Sequence, residues 1–400
     1  MSEFFQKLVK KVDIEEGMQG IRDILLAIYR SGTISVKKIS RRTKLPVPIV
    51  SKVVNILIEK QMLFRNEFGV QFWEHAMKFI EKEFKFYGYG ISPCPTCNGR
   101  PRYISPRIES LFDVLNPIFE ARPQVDTALD QSKNTVETAI QRALYLYDEG
   151  ALEGNDVLFI GDDDFTSVAV GNLFHILFPE DPKLVPKSIT VIDVDERILE
   201  RIDAEFGKLK LDVKTVLYNL KDPIPADLRG RFDMVITDPA YSINGLQLFL
   251  SRAIEMMKND FRQRIGLDIF LSYAHRSPDK TVEFQRLLSS MGLAMMEIIP
   301  AFNKYEGSEV LGNITQLVHL KTSRHTESPI HPDKSFDDVL YTGETHPYLR
   351  QYKCVNCSAV IRVGPDMDFE SIELLKGDGC PACGNSKKFE LISRNLIGIE

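Results

Sequence analysis

Between residues 155 and 322 the chain alternates short Val/Ile/Leu-rich runs with helical stretches, and this alternation restricts the fold most. The runs are VLFIG, SITVIDVD, VKTVLYN, FDMVITD, LDIFLSY, AMMEIIPAF and TQLVHLK. Strands apolar on both faces need cover on both faces, and helices joining parallel strands supply it. The pattern predicts an α/β domain on a buried, mostly parallel sheet. The last two runs, near 294–302 and 315–321, lie close together and are expected to form an antiparallel hairpin at the sheet edge.

Around this domain the spacing predicts four further parts. Residues 1–88 read as a winged-helix-like N-terminal domain: a helix over 18–31, helices 36–43 and 47–60 around a turn at Leu45–Pro48, then a strand and a helix over 70–86. Ser51, Lys52 and Asn55 should face outward on the second helix of that pair, and Trp73 should be core. Residues 89–150 read as a Gly/Pro-rich connector with a lead-in helix over 125–149, near whose start Gln131 and Thr135 would sit. Residues 151–322 are the catalytic domain, 323–349 a polar linker, and 350–400 a cysteine-bearing tail.

Net charge is −6, but residues 1–88 hold 16 Lys/Arg against 10 Asp/Glu, which leaves −12 for the rest. An acidic body attracts cations and repels free nucleic acid. The basic head suits packing or dimerisation better than base recognition, because nothing in it specifies bases. There is neither a bilayer-length apolar run nor a signal-peptide core, so a cytoplasmic location is expected.

All six cysteines fall in C-x-x-C pairs. Cys354, Cys357, Cys380 and Cys383 have C-x2-C-x22-C-x2-C spacing, the pattern of a zinc ribbon in which two thiolate knuckles close a tetrahedron. A four-cysteine site has no open position, so its zinc would be structural. Cys94 and Cys97 fit a second metal site, a disulfide, half of a site shared with another chain, or two unliganded thiols.

In open parallel sheets, ligands bind beyond the C-terminal strand ends near the switch in strand order. Four such ends are polar here. The first carries Gly161, Asp162, Asp163 and Asp164, the second Asp193 and Asp195, the third Asn219 and Leu220, and the fourth Asp238 and Tyr241 in the run DPAYS. Asp193 is placed for ribose hydroxyls, and Asn219 and Leu220 for an adenine ring. One aspartate at a helix start is an ordinary cap; three adjacent ones exceed what a cap needs. They would oppose a pyrophosphate, which argues against NAD and ATP. Two unit charges about 5 Å apart interact by roughly 3 kcal/mol at an effective dielectric near 20, on the order of a hundredfold in affinity. The carboxylate of S-adenosylmethionine would meet this repulsion. Decarboxylated S-adenosylmethionine, with only a sulfonium and an ammonium, suits the site, and its transferable aminopropyl group calls for an amine acceptor. The expected fold is thus a Rossmann-like S-adenosylmethionine-dependent transferase.

GDDD after the first strand, an aspartate after the second and DPAY after the fourth resemble the branched-chain polyamine synthases, the N4-aminopropyltransferases of thermophilic archaea and bacteria. The resemblance covers about residues 20–322; Ala240 replaces a second proline, and the tail looks like an addition. It implies a homodimer that moves aminopropyl groups from decarboxylated S-adenosylmethionine to the central nitrogen of spermidine, forming a tertiary and then a quaternary amine. On that basis Asp164 would hold the donor ammonium, Asp162 and Asp163 the acceptor ammonium groups, Asp238 would be the base, and Tyr241 would wall the amine site. Two rivals differ in class. One is an N-methyltransferase acting on an amine of nucleic acid or protein; the other is a polyamine-sensing winged-helix regulator that binds DNA.

Overall fold

The computed structural model describes all residues except 1–2, 15, 44, 85, 87–102, 153, 179–185, 260–264, 307–313, 342–347, 365–366, 370–371, 386–387 and 397–400. Cys94 and Cys97 lie outside the described residues. No helix among those described is long and apolar enough to cross a membrane. The chain divides into two units, Met1–Val125 with Ser132–Asp337, and Asp126–Gln131 with Asp338–Glu400.

The first unit begins with helices α1 (Glu3–Val12), α2 (Gly17–Ser31), α3 (Val36–Thr43) and α4 (Val47–Glu59). A hairpin of β1 (Leu63–Asn66) and β2 (Gly69–Phe72) and helix α5 (Glu74–Phe84) follow. Ile21, Ile24, Leu25 and Ile28 repeat at helical spacing on α2, and all four are fully buried in one core with Val50, Val53, Val54 and Leu57 of α4. The helix expected from residue 70 starts at Glu74, because Gly69–Phe72 pairs with β1 instead. Asn66 Oδ1 makes that turn, accepting from the N–H groups of Phe68 and Gly69 at 2.9 and 3.0 Å. Trp73, expected in the core, is 45% exposed and lies against Phe64. Ser51 is half-buried and Lys52 and Asn55 are exposed, with the Lys52 ammonium bonded to the Val12 carbonyl at 3.2 Å.

Next come α6 (Pro106–Glu120), α7 (Val136–Asp148), β3 (Asp156–Ile160), α8 (Thr166–Leu177), β4 (Ser188–Asp193), α9 (Glu196–Leu209), β5 (Lys214–Leu217) and β6 (Met234–Thr237). The unit continues with α10 (Ile243–Met256), β7 (Asp268–Ala274), α11 (Pro278–Ser290), β8 (Leu293–Lys304) and β9 (Ile314–Thr322). The seven strands run in the order β5-β4-β3-β6-β7-β9-β8. The first five are parallel; β9 is antiparallel to β7, and β8 to β9. All seven apolar runs of the sequence are strands, and the terminal pair is the expected edge hairpin. The chain goes from β3 to one side and returns to the other at β6, so the switch in strand order lies between β3 and β6. Residues 331–336 also pack into this unit: Ile224 N–H donates to Pro332 O, Phe336 N–H to Lys221 O, and the buried Arg252 to Lys334 O, each at 2.8 Å.

Two local departures shape the site. The helix expected over 125–149 starts only at Val136, where Thr135 Oγ1 caps it by accepting from Thr138 N–H. The residues before it extend along β8 instead, with Asn134 bridged to Tyr305 and Thr135 N–H donating to Lys304 O at 2.9 Å. Gln131 folds back on Asp126, accepting its N–H at 2.7 Å. Strand β8 loses register with β9 between Ile299 and Asn303, and Ala301 takes the left-handed φ of 56°. A bulge of this kind re-aims side chains. Glu297 and Ile298 are exposed before it, while Phe302 and Asn303 are fully buried after it.

In the second unit β10 (Tyr348–Cys354), β11 (Val360–Val363) and β12 (Phe389–Leu396) form an antiparallel sheet in the order β11-β10-β12, with α12 (Ile372–Asp378). Val363, Phe369 and Leu375 are its small core.

Candidate active site

Every candidate residue from the central domain sits just past the C-terminal end of a parallel strand: Gly161 to Asp164 after β3, Asp193 and Asp195 at and after β4, Asn219 and Leu220 after β5, and Asp238 and Tyr241 after β6. Gly161 makes the turn at φ 68°, its N–H bonded to Ile192 O at 2.9 Å. Phe165, fully buried at φ 52°, completes it and turns the chain into α8. A non-glycine residue held left-handed is a strain that packing must support. Here Phe119 packs edge-on against the ring, and the Arg122 guanidinium lies 4.2 Å over Phe119.

The three aspartates have different partners. Asp162 is 2% exposed and caps α8. Its oxygens accept from Thr166 N–H at 2.8 Å, Ser167 N–H at 3.1 Å and the Ser167 hydroxyl, and its own N–H donates to Asp193 Oδ2 at 3.1 Å. Asp164 is 3% exposed; Arg142 Nη1 reaches its Oδ2 at 2.5 Å and Asn134 N–H its Oδ1 at 3.0 Å. Asp163 is half-buried and accepts from Ser132 N–H at 3.2 Å.

Arg142 is the hub. It is buried on α7, with Nη2 at 2.9 Å from both Asp238 Oδ2 and the Tyr305 hydroxyl, and Nε at 2.8 Å from Asn303 Oδ1. Asn303 is fixed in turn by its amide, which donates to Thr315 Oγ1 at 2.9 Å. Asp238 also accepts from the Tyr305 hydroxyl and, through Oδ1, from Tyr241 at 2.9 Å. Arg142, Phe159, Gly161, Thr166, Ile236 and Asp238 line a narrow cavity between the ends of β3 and β6.

Burial pushes the Asp162 carboxyl up to about 7 against the bonds from Ser167 and Thr166. Burial likewise takes Asp193 to about 6. Asp238 rises to about 7 through burial, opposed by Arg142 and reinforced by Asp164. Asp163 stands well above the carboxylate range, from burial and then from the charges of Asp164, Asp193 and Asp238. Burial and neighbouring Asp238 hold the Tyr241 and Tyr305 hydroxyls protonated. Burial thus favours the protonated form of these carboxyls, and a cation bound beside them would favour the charged form.

The structure brings together Asp162 with Asp193, Asp164 with Asp238 through Arg142, and Tyr241 with Asp238 directly. Asp195, Asn219 and Leu220 make other contacts. Asp195 caps α9 and pairs with Arg197 at 2.6 Å. Asn219 Oδ1 accepts from Lys221 N–H at 3.0 Å, and Leu220 O accepts from Arg252 Nε at 2.8 Å. Sequence reasoning missed Arg142, Asn303 and Tyr305. A signal existed for Arg142, which lies four residues after Thr138 and three before Tyr145 on the buried face of a helix. None existed for Asn303 and Tyr305, whose positions depend on the bulge.

In the tail, Cys354, Cys357, Cys380 and Cys383 converge, with all four Sγ atoms within 4.8 Å of one another. Gly379 and Gly384 turn the second knuckle at φ 83° and 69°. Asn385 and Asn356 amides donate to Cys354 and Cys383 sulfur at 3.4 and 3.5 Å.

Strand order and a ligand crevice at the switch point define a Rossmann-like α/β protein. Residues 111–346 match the C-terminal domain of branched-chain polyamine synthase A. The N(4)-bis(aminopropyl)spermidine synthase of Thermococcus kodakarensis is 30% identical over 316 residues, 76% of this chain and 83% of the relative. An uncharacterized protein of Methanocaldococcus jannaschii is 37% identical over 390 residues, 98% of this chain and 93% of its own. The solved branched-chain polyamine synthase of Thermus thermophilus, in complex with N4-aminopropylspermidine and 5'-methylthioadenosine, shares the fold at a TM-score of 0.66 and 20% identity, over 86% of this chain and 98% of that one. The chain belongs to the branched-chain polyamine synthase family.

Proposed function

We propose that this protein is an aminopropyltransferase. It moves aminopropyl groups from decarboxylated S-adenosylmethionine to the central nitrogen of spermidine, giving N4-aminopropylspermidine, then N4-bis(aminopropyl)spermidine, with methylthioadenosine released. The observation that carries this is the convergence of Asp162, Asp163, Asp164 and Asp238 at the β3/β6 switch, three carboxylates from one strand end facing a fourth from the next. The relatives' names and the ligands of the Thermus thermophilus structure support it.

Asp193 and Asp195 are assigned to the ribose side of the donor, and Asn219 and Leu220 to its adenine. Asp162 organises the turn. Asp164 and Asp238 are engaged by Arg142, so the acceptor amine is assigned to Asp163, which among the described residues accepts one backbone N–H and meets no arginine. Tyr241 and Tyr305 wall that space. In the first transfer the amine lone pair forms the C–N bond as the C–S bond breaks, its electrons going to sulfur, and Asp163 takes the amine proton. In the second, the tertiary amine has no proton to give, and the carboxylates stabilise the new quaternary cation.

The four-thiol cluster fits structural zinc, since its donor set is all sulfur and two amides orient the thiolates. The division into a winged-helix-like head over 1–88, connector over 89–150, catalytic domain over 151–322, linker over 323–349 and zinc ribbon over 350–400 is part of this reading, as are a homodimer and a cytoplasmic site of action. Helices α2 to α4 followed by the β1–β2 hairpin support the winged-helix assignment.

Incubation with decarboxylated donor and spermidine, read by mass spectrometry, tests the proposal. Successive gains of one C3H7N unit on the acceptor are expected. Gain of CH2 units from S-adenosylmethionine, with no reaction of the decarboxylated donor, would replace it with methyl transfer.

A further inference from the structure

Arg142 has a position that the reaction above does not require. A site for two polycations has no evident need of a cation of its own, yet Arg142 lies buried among its carboxylates. It is held rigidly: Asn303, Tyr305 and Thr166 fix the guanidinium, and Thr315 fixes Asn303. It takes one oxygen of Asp164 and one of Asp238, from two different strand ends. A guanidinium presents several donors in a fixed plane and stays charged in any surroundings, whereas an ammonium is a single point. Without it, buried Asp164 and half-buried Asp238 would be two carboxylates in need of a cation, and a polyamine is a chain of such cations.

We infer that Arg142 is a positioning residue that sets acceptor register: it fills the cation position between Asp164 and Asp238, so that no ammonium of the polyamine settles there and the central nitrogen comes to Asp163. The inference rests on the aminopropyl-transfer reading. It differs from a purely structural role in what it does to binding. A structural arginine, once removed, weakens the fold. A register-setting arginine, once removed, lets the acceptor bind well in the wrong place.

The test uses full-length Arg142→Met and Arg142→Lys. Spermidine binding is measured by calorimetry, and acceptor KM and kcat per folded molecule by methylthioadenosine release. Arg142→Met should bind spermidine at least as tightly as the parent, keep or lower the acceptor KM, and lose roughly a hundredfold in kcat, the scale of a misplaced reactant. Added guanidinium ion should restore part of that kcat. Arg142→Lys, which keeps the charge but cannot bridge both carboxylates in one plane, should lose less, about tenfold. If Arg142→Met does not fold, Arg142→Lys alone decides by the same split between KM and kcat. Spermidine binding that weakens together with kcat, or a kcat per folded molecule that stays near the parent's, would overturn the inference. The binding comparison needs no turnover, so it still decides if the parent proves to transfer no aminopropyl group.

Discussion

Asp162 commits both carboxylate oxygens to the first turn of α8, Asp164 is paired with Arg142, and Asp163 accepts from Ser132 N–H. Three adjacent letters of the sequence thus have three separate uses, and each makes a prediction. Asp163→Asn should lower the rate of the first aminopropyl addition by about a hundredfold or more, the scale of general-base catalysis. It should slow the second addition less, because the tertiary amine loses no proton; time courses of the singly and doubly substituted products check this. For Asp162 the carboxyl is raised to about 7 in the folded chain. Between its unfolded value and about 7, the folded state holds a proton that the unfolded state does not. Its stabilising effect is therefore present at low pH and is lost as pH rises through that window. Asp162→Asn, which keeps one of the two acceptor oxygens and so lowers the overall stability, should flatten the fall in stability across that range by up to roughly 1.4 kcal/mol per pH unit, measured by urea melts of the ligand-free protein. The sequence made the cluster itself legible, three carboxylates at one strand end. It could not distribute the roles, because those depend on a backbone N–H from Ser132, another from Asn134 and a guanidinium from α7, all distant in the chain.

The parallel strands were legible at the scale of elements because a buried strand must be apolar on both faces, as β3, β4 and β6 are. The irregular elements were not. The bulge in β8 leaves no periodicity to read, and the delayed start of α7 reflects pairing of 134–135 with residues 304–305 rather than any local propensity. Both irregularities serve the site, since they place Asn303, Tyr305 and Asn134 around Arg142 and Asp164. The first turn of α10 bears on it too. Gly245 lies so close to the DPAY turn that a Cβ there would meet Ala240 O at 2.6 Å and Ser242 Oγ at 2.9 Å. Gly245→Ala should therefore push the turn that carries Asp238 and Tyr241. A loss of about 1–3 kcal/mol in a urea melt is expected, together with a fall in kcat/KM larger than the unfolded fraction explains.

The molecule as a whole joins an acidic α/β body to a basic head and a cysteine-bearing tail. The convergence of the four tail cysteines was legible from spacing alone, since paired C-x-x-C knuckles at that separation meet at one point. Purified protein should carry about one zinc per chain at this four-thiol site, measured by elemental analysis of the parent beside Cys354→Ser. Chelation should open residues 348–396 to proteolysis before the β3–β9 sheet, because a closed structural site contributes folding free energy to its own small core. Equal metal in the parent and Cys354→Ser would contradict the assignment. Transfer of aminopropyl groups to an internal amine at the aspartate crevice is the activity to test. The most direct measurement is the mass and fragmentation pattern of spermidine after reaction with decarboxylated S-adenosylmethionine. One and then two C3H7N additions are expected, both on the central nitrogen; addition at a terminal nitrogen, or an unchanged acceptor with no methylthioadenosine formed, would rule this function out.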